Sequence, residues 1–335
     1  MSTPVAGPIR VGLIGGGGIA SIHLKGYAAN ADRISVTAVA DVDPETRATR
    51  AAELGATPYE DFRELITDSD VHAVDICLPH HLHAEAILAA VSAGKHVLCE
   101  KPLCLTREEA AAIEQAIAEH DVTLMCAHNQ LFLPPVSKAT ELLRSGLLGQ
   151  VYEVRTTDCF HNDFDPDSMG WRAHRSTSGG GELIDTGYHP TYLLLHFAGA
   201  EPTAVSAMLS THRLTFSESE DSAQVMVRFA NGVLGNLVTS WAYQPADCTE
   251  RFSVVGELGA LWATKAGELT YRLRTGETES FPSTQGVMFP AQMAHFADCL
   301  AQGTRPVNDH TDGIRALNVI LAAYESAETG RVVTL

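Results

Sequence analysis

The stretch Val11-Gly12-Leu13-Ile14-Gly15-Gly16-Gly17-Gly18-Ile19-Ala20-Ser21-Ile22-His23 decides how the rest of the chain is read. An apolar run enters four glycines, and an amphipathic stretch leaves them. Gly15 to Ala20 fits G-x-G-x-x-A at a strand-to-helix turn. Glycine at 15 permits the tight turn, and glycine at 17 removes the Cβ that would hold a pyrophosphate away. Gly18 and Ile19 open a helix whose N–H groups face an anion, and Ala20 lets that helix lie close on the sheet. Asp41 ends the next apolar run, about 25 residues on, where an acidic side chain takes ribose hydroxyls. That carboxylate would face the 2′-phosphate of NADP with like charge, and no arginine immediately follows Asp43, so NAD is favoured over NADP.

Outward from this turn, short apolar runs alternate with longer amphipathic ones. Residues 9–14, 36–40, 73–78, 96–99 and 123–127 read as strands, and 19–29, 44–54, 83–92 and 107–120 as helices. Several strands lack polar alternation, which predicts a parallel sheet covered by helices on both faces. Asp43 and Pro44 have the N-cap and N1 pattern, and Gly94 stands where a helix would end. Beyond residue 127 the pattern changes. A helix at 136–145 and a strand at 151–157 precede a polar, aromatic and glycine-rich stretch, 158–181. A helix at 183–198 and repeated strands between 203 and 273 follow, then helices at 287–301 and 312–328. The reading is α/β, with a first domain over 1–127 and a second over 128–335 built on a large, mainly antiparallel open sheet; the terminal helix could pack back on the first domain.

Composition narrows the function classes. Hydrophobic residues make up 45% and charged ones 19%, and the formal net charge is −18. So acidic a chain repels phosphate backbones and anionic surfaces, so neither nucleic acid nor membrane is expected as a partner. Seven scattered cysteines without a C-x-x-C pair fit buried thiols in a reducing compartment. No cationic and apolar leader is visible in the first ten residues, and no long apolar run suggests a membrane span, so a cytoplasmic location is expected.

Two further motifs carry chemistry. Cys99-Glu100-Lys101-Pro102 falls at the carboxyl end of a predicted strand, where ligands of open α/β sheets collect. A partly dry lysine exchanges a proton near neutrality, and Pro102 restricts the Lys101 backbone. Gly179 to His189 reads GGGELIDTGYH, and a helix there would put Asp185 and His189 on one face. That carboxylate–imidazole pair suits hydroxyl recognition and proton transfer. No metal site is expected. His80, His81 and His83 cluster, but Asp163, Asp165 and Asp167 lack the glycine and closing glutamate of a calcium loop.

Together these motifs resemble the Gfo/Idh/MocA family of glucose-fructose oxidoreductase and inositol dehydrogenase relatives. The resemblance rests on residues 11–23, 71–102, 142–154, Trp171-Arg172, 179–189 and the tail over 296–333. It implies a Rossmann domain followed by an α/β domain whose open sheet supports a homodimer or homotetramer. It implies hydride transfer between a nicotinamide and a secondary alcohol of a sugar, sugar derivative or cyclitol. Lys101 matches the lysine of its E-K-P motif, and Asp185 and His189 match its D-x-x-x-H, so these three are the expected catalytic groups. Gly15, Gly17, Gly18, Ile19, Asp41, Pro79, His80, His83, Glu100 and Lys101 are expected around the cofactor. Leu78 and His80 replace the threonine and asparagine usual in the family's cofactor loop. Asn129, Trp171, Arg172 and Tyr188 join Asp185 and His189 as substrate-side candidates. Two alternatives stay open: redox-assisted cleavage of a glycoside, and a non-catalytic regulator that senses the dinucleotide.

Overall fold

The computed structural model describes residues 2–68, 70–243, 250–283 and 287–335. The chain forms two compact units, Met1–Asn129 with Met288–Ile314, and Gln130–Val287 with Arg315–Leu335.

The first unit holds a six-stranded sheet of β1 (Ile9–Ile14), β2 (Ile34–Ala40), β3 (Thr57–Tyr59), β4 (Ala73–Ile76), β5 (His96–Cys99) and β6 (Leu124–Cys126). Every pairing is parallel and the order is β3-β2-β1-β4-β5-β6. The direction of winding therefore reverses between β1 and β4, which creates the crevice where ligands of such sheets bind. β4 and β5 are buried throughout, as strands without polar alternation require, although β4 carries Asp75 and β5 begins at His96. Local chemistry sets the helix ends. Asp43 accepts the Thr46 N–H at 2.8 Å ahead of helix Pro44–Leu54. Thr106 and Glu109 form a reciprocal capping box at helix Arg107–Glu119. The Gly94 N–H closes on the Val91 carbonyl at 2.9 Å after helix His83–Ser92.

A long-range contact brings Met288–Ile314 into this unit. A Cβ on Gly26 would stand 2.8 Å from Met293 Cγ and 2.9 Å from the Phe289 carbonyl. Helix Gly18–Ala28 therefore meets helix Met288–Gln302 at backbone distance. The boundary read from local pattern, 127/128, groups that second helix with the later residues; no local signal announces the contact.

The second unit carries β7 (Val151–Cys159), β8 (Pro202–Ser210), β9 (Ser222–Phe229), β10 (Leu234–Ser240), β11 (Glu250–Gly256), β12 (Gly259–Thr264), β13 (Leu269–Leu273), β14 (Thr278–Phe281) and β15 (Val333–Thr334). Their order is β14-β13-β12-β11-β7-β10-β9-β8-β15. β7 and β10 run parallel, and the other pairs are antiparallel. Helix Tyr188–Ala198 covers one face. Gly235 admits Leu194, and the Phe197 and Phe252 rings lie 4.5 Å apart. Truncating Phe252 to alanine would cost about 3–5 kcal/mol. The opposite face is open: Met208 is 82% exposed, Met226 59% and Leu234 50%.

Helix Tyr188–Ala198 starts later than the expected 183. Gly181 and Leu183 donate their N–H groups to the Glu220 carboxylate, and Gly187 donates to the Glu182 carbonyl five residues back. These bonds interrupt the regular i−4 ladder, of which the Asp185 N–H to the Gly181 carbonyl, at 3.2 Å, remains. Asp185 therefore sits in a turn ahead of the helix while His189 sits within it, so the single shared helical face is corrected. Cys77, Cys99, Cys104, Cys126, Cys159 and Cys299 are buried thiols, and Cys248 lies outside the described residues. Among the described residues no helix is long and apolar enough to cross a membrane.

Burial, reinforced by the charge of Arg144, lowers the His196 pKa to about 4. The unfolded chain binds that proton near pH 6.5, so His196 disfavours folding increasingly as pH falls from 6.5 to about 4. Its share of the loss should approach about 3 kcal/mol. Urea unfolding at several pH values should show a shallower decline for His196→Gln across that window, and parallel declines would exclude the assignment.

Candidate active site

Gly15 is fixed by the protein itself. Its φ is +90°, its N–H donates to the Ala40 carbonyl at 2.8 Å, and a Cβ would fall 2.5 Å from the Cys77 carbonyl oxygen. Gly16 is also filled from within, since a Cβ would fall 2.8 Å from Thr46 Cγ2. Gly17 and Gly18 differ, for a Cβ on either meets nothing within 4 Å. Gly17 caps helix Gly18–Ala28 without a side-chain hydrogen bond, so the N–H groups of the first turn face this open space, beside Ile19. An open cradle at a helix start of this kind fits a diphosphate.

Asp41 stands beside the cradle. One carboxylate oxygen accepts the Gly16 N–H at 2.7 Å and the other accepts the Asp43 N–H at 2.9 Å. Each oxygen has a second lone pair with which to receive a ribose hydroxyl. Arg47 donates to the Asp41 carbonyl at 2.6 Å, and Arg50 donates to the Gly16 carbonyl at 3.0 Å. Both arginines thus brace the turn through its backbone.

The loops after β4 and β5 are stapled together. His83 places Nδ1 2.6 Å from the Pro102 carbonyl and Nε2 2.8 Å from the Leu78 carbonyl. Burial holds its pKa below the usual value despite these bonds, so a neutral ring has one N–H for two carbonyls. His80 is buried with its ring 5.9 Å from that of His83, in the short turn His80–Leu82 that Pro79 opens. Glu100 is buried as well. One of its oxygens lies 3.0 Å from His23 Nε2 and the other accepts the Lys101 N–H at 3.1 Å. The side chains of His83 and Glu100 thus shape the wall from inside. Lys101 is nearly buried, and its peptide bond to Pro102 is cis. Asn129 is buried at the start of the turn Asn129–Phe132.

In the second unit, Arg172 Nε donates to Asp185 Oδ2 at 2.5 Å, while the Arg172 guanidinium lies 4.3 Å over the Trp171 ring. An ion pair with one nearly buried partner fixes the direction of the carboxylate. His189 Nδ1 lies 2.9 Å from the Tyr192 hydroxyl, which also accepts the Gln130 N–H at 3.0 Å. Tyr192 has an O–H and a further lone pair, so it can serve either tautomer of His189. Tyr188 is buried, its ring 6.4 Å from that of Tyr192. Two aspartates of the 158–181 stretch have local partners. Asp163 pairs with His161, and Asp165 caps Ser168.

Residues absent from the sequence reading do much of the holding. Glu220 gathers the Gly181 and Leu183 N–H groups and the Tyr324 hydroxyl. Glu182 is buried and accepts from Thr239. Burial, with the charge of Glu220, pushes its carboxyl well above the usual range. His23, Tyr27 and Asp75 lie behind Glu100. The one sequence signal for that group is a charged residue inside an otherwise apolar strand, Asp75.

Residues 9–128 match the model for an oxidoreductase family with an NAD-binding Rossmann fold, and residues 136–262 match the GFO/IDH/MocA C-terminal domain. The chain is 31% identical to D-xylose 1-dehydrogenase (NADP(+)) 2 of Haloferax volcanii, over 95% of this chain and 98% of that protein. The chain belongs to the Gfo/Idh/MocA oxidoreductase family. It is also 35% identical to levoglucosan dehydrogenase of Pseudarthrobacter phenanthrenivorans, over 68% of this chain and 66% of that protein. A solved structure of levoglucosan dehydrogenase with NADH and levoglucosan has a TM-score of 0.90 at 28% identity, covering 98% of this chain and 99% of that one. The six-stranded parallel sheet and the nine-stranded, mostly antiparallel sheet are this family's architecture, and its Gly17–Gly18 cradle and Asp41 fit a nicotinamide dinucleotide.

The two kinds of glycine separate by experiment. Gly17→Ala should leave stability within about 1 kcal/mol, the scale of a helix-cap change, while weakening NAD binding at least about tenfold. Gly15→Ala should destabilise the first unit by more than about 1 kcal/mol, because a left-handed backbone and the Cys77 carbonyl both oppose it. Calorimetric titration and denaturant unfolding of the two variants distinguish these outcomes.

Proposed function

We propose that the enzyme oxidises a secondary alcohol of a sugar, sugar derivative or cyclitol, with NAD preferred over NADP. The observation that carries the reading is the uncapped helix start at Gly17–Gly18, with Asp41 beside it and Lys101 at the end of β5. Bound nicotinamide would supply the hydride acceptor. Asp185, oriented by Arg172, accepts a hydrogen bond from a substrate hydroxyl. His189, backed by Tyr192, takes the proton of the reacting hydroxyl, and Lys101 assists. Trp171 offers a ring face and Asn129 an amide to the substrate, whereas the wholly buried Tyr188 ring packs against Tyr192. The preference for NAD rests on the Asp41 carboxylate and on Arg47 and Arg50 being engaged with backbone carbonyls. The named relatives include both NADH-bound and NADP-linked enzymes, so the choice is decided by assay. The buried thiols support a cytoplasmic setting.

The test is reduced-nicotinamide formation with NAD and with NADP against myo-inositol, D-xylose, levoglucosan and simple glycosides. Turnover should follow NAD, and Lys101→Met should lower it by about 10²-fold or more while the Kd for NAD moves less than about threefold. Glycoside cleavage without net reduction, or full turnover in Lys101→Met, would overturn the reading. Self-association through the face bearing Met208, Met226 and Leu234 is part of the same proposal. Met226→Glu should lower the sedimentation mass if that face is the interface, and an unchanged mass would exclude it.

A further inference from the structure

We propose that His23 is a positioning residue for Lys101, acting through Glu100. The proposal rests on the reading of Lys101 as a proton carrier. His23 lies in the second turn of helix Gly18–Ala28 and is wholly buried. Its Nδ1 is 2.8 Å from Asp75 Oδ2, and its Nε2 is 3.0 Å from Glu100 Oε1. Tyr27, one helical turn further on, donates its hydroxyl to the same Asp75 oxygen at 3.0 Å. The second oxygen of Glu100 receives the Lys101 N–H at 3.1 Å. A continuous chain of hydrogen bonds thus runs from the glycine-turn helix, through β4, to the backbone of Lys101 just beyond β5. The Phe289 ring, 5.6 Å from the imidazole, packs beside it.

Both nitrogens of His23 face carboxylate oxygens, so both must donate and the ring is an imidazolium. Burial is the largest single influence and opposes that charge, but Asp75 and Cys77 together outweigh it and hold the pKa well above the usual value. Burial would likewise raise the Glu100 carboxyl; the hydrogen bond and charge of His23, with the charge and amide of Lys101, together outweigh it and keep it low. Without the imidazolium, Glu100 would be a buried carboxylate short of a partner, and its grip on the Lys101 amide would be lost.

A metal ion is the competing use of this cluster, because donor atoms of His23, Asp75 and Cys77 lie within 4.8 Å of one another. The geometry argues against it. Two ligands about 2.0–2.2 Å from a tetrahedral ion stand roughly 3.3 Å or more apart, whereas the His23–Asp75 separation is that of a direct hydrogen bond. Burial also pushes the Cys77 thiol up to about 12, so it stays protonated.

Two substitutions divide the functions of the ring. His23→Asn keeps a donor near the Nδ1 position, facing Asp75, and none near Glu100. His23→Gln reaches the Nε2 position, facing Glu100, and gives up Asp75. Hydrogen exchange of the Lys101 amide reads the positioning directly, and it is compared with kcat on the best substrate of the panel and with NAD binding. In His23→Asn the amide should exchange at least about tenfold faster and kcat should fall about tenfold, with the Kd for NAD within about threefold. His23→Gln should keep exchange and kcat within about threefold of the parent. Equal exchange in the two variants, or parent-like exchange in His23→Asn, overturns the proposal. Should His23→Asn fail to fold, Glu100→Ala removes the acceptor while leaving His23 paired with Asp75. It must speed the same amide and lower kcat, and parent-like values overturn the proposal equally. Lys101→Met keeps the two claims apart. Full turnover in that variant removes Lys101 from the mechanism, whereas lost turnover with indifferent His23 variants removes only the positioning chain.

Discussion

The carbonyl of Cys77 occupies the place a Cβ on residue 15 would need, 2.5 Å away. This close approach makes the ligand-binding crevice possible. β1 and β4 are neighbours in a parallel sheet, and the chain leaving β1 must turn sharply to begin a helix above their ends. Only a residue without a side chain can turn there against the backbone that follows β4. Once it does, the helix start is directed over the switch point, Gly16 lies against Thr46, and Asp41 can reach back to the Gly16 amide. The glycine turn is therefore held from three sides by ordinary packing and backbone bonding. Gly17 and Gly18 alone are left facing space, since a Cβ on either would have no neighbouring protein atom within 4 Å. Open space at a helix start, which suits an anion, is what remains once the packing around Gly15 and Gly16 is complete.

A second constraint is electrostatic. The interior behind the crevice contains two carboxyl groups and a histidine that apolar packing alone would not place there. An imidazolium between two carboxylates satisfies every donor it has, and removing it would leave buried carboxylates without their cation at a cost of about 3–5 kcal/mol. Such an arrangement contributes little net stability compared with well-packed hydrocarbon, but it admits few alternative geometries. Direction matters more than strength here. The hydrogen bonds ending on Glu100 and the His83 ring, set between the Pro102 and Leu78 carbonyls with one N–H to give, hold the two loops that carry Pro79, His80 and Lys101. The second unit uses the same device: Glu220 holds the Gly181–Leu183 backbone, and Arg172 orients Asp185.

The first unit is legible because its signals are local. Mostly apolar strands without polar alternation, the glycine turn, Asp43 before Pro44 and Gly94 after a helix all act within a few residues, and each appears where its chemistry requires. Long-range contacts are not legible in this way. Helix Met288–Gln302 joins the first unit because Gly26 admits Phe289 and Met293, and no periodicity encodes that pairing. Apolar spacing suggests a helix over 183–198, whereas Glu220, almost forty residues downstream, captures its first N–H groups and turns the segment away from the regular ladder. Lys101, Asp185 and His189 can be named from motif, but the residues that orient them cannot. His23, Glu220 and Tyr192 reach their partners only through the fold.

That difference reflects how such sites are built. A reacting group must be a particular side chain at a particular backbone position, so it leaves a mark in the sequence. A supporting group needs only to present a donor or acceptor at one point in space, and many elements could supply it. Asp185 illustrates the division. Its ion pair with Arg172 is formed within one segment, while the turn that presents it depends on Glu220 and, through the hydroxyl of Tyr324, on the helix His310–Thr329. A Cβ on Gly181 would fall 1.9 Å from the Glu220 carbonyl oxygen, so this turn, like the one at Gly15, requires a residue without a side chain. In both units, then, a glycine in contact with a distant carbonyl sets the course of the chain just before the candidate site residues. Both turns derive their precision from close backbone packing, and buried charged groups then fix the side chains that the turns present.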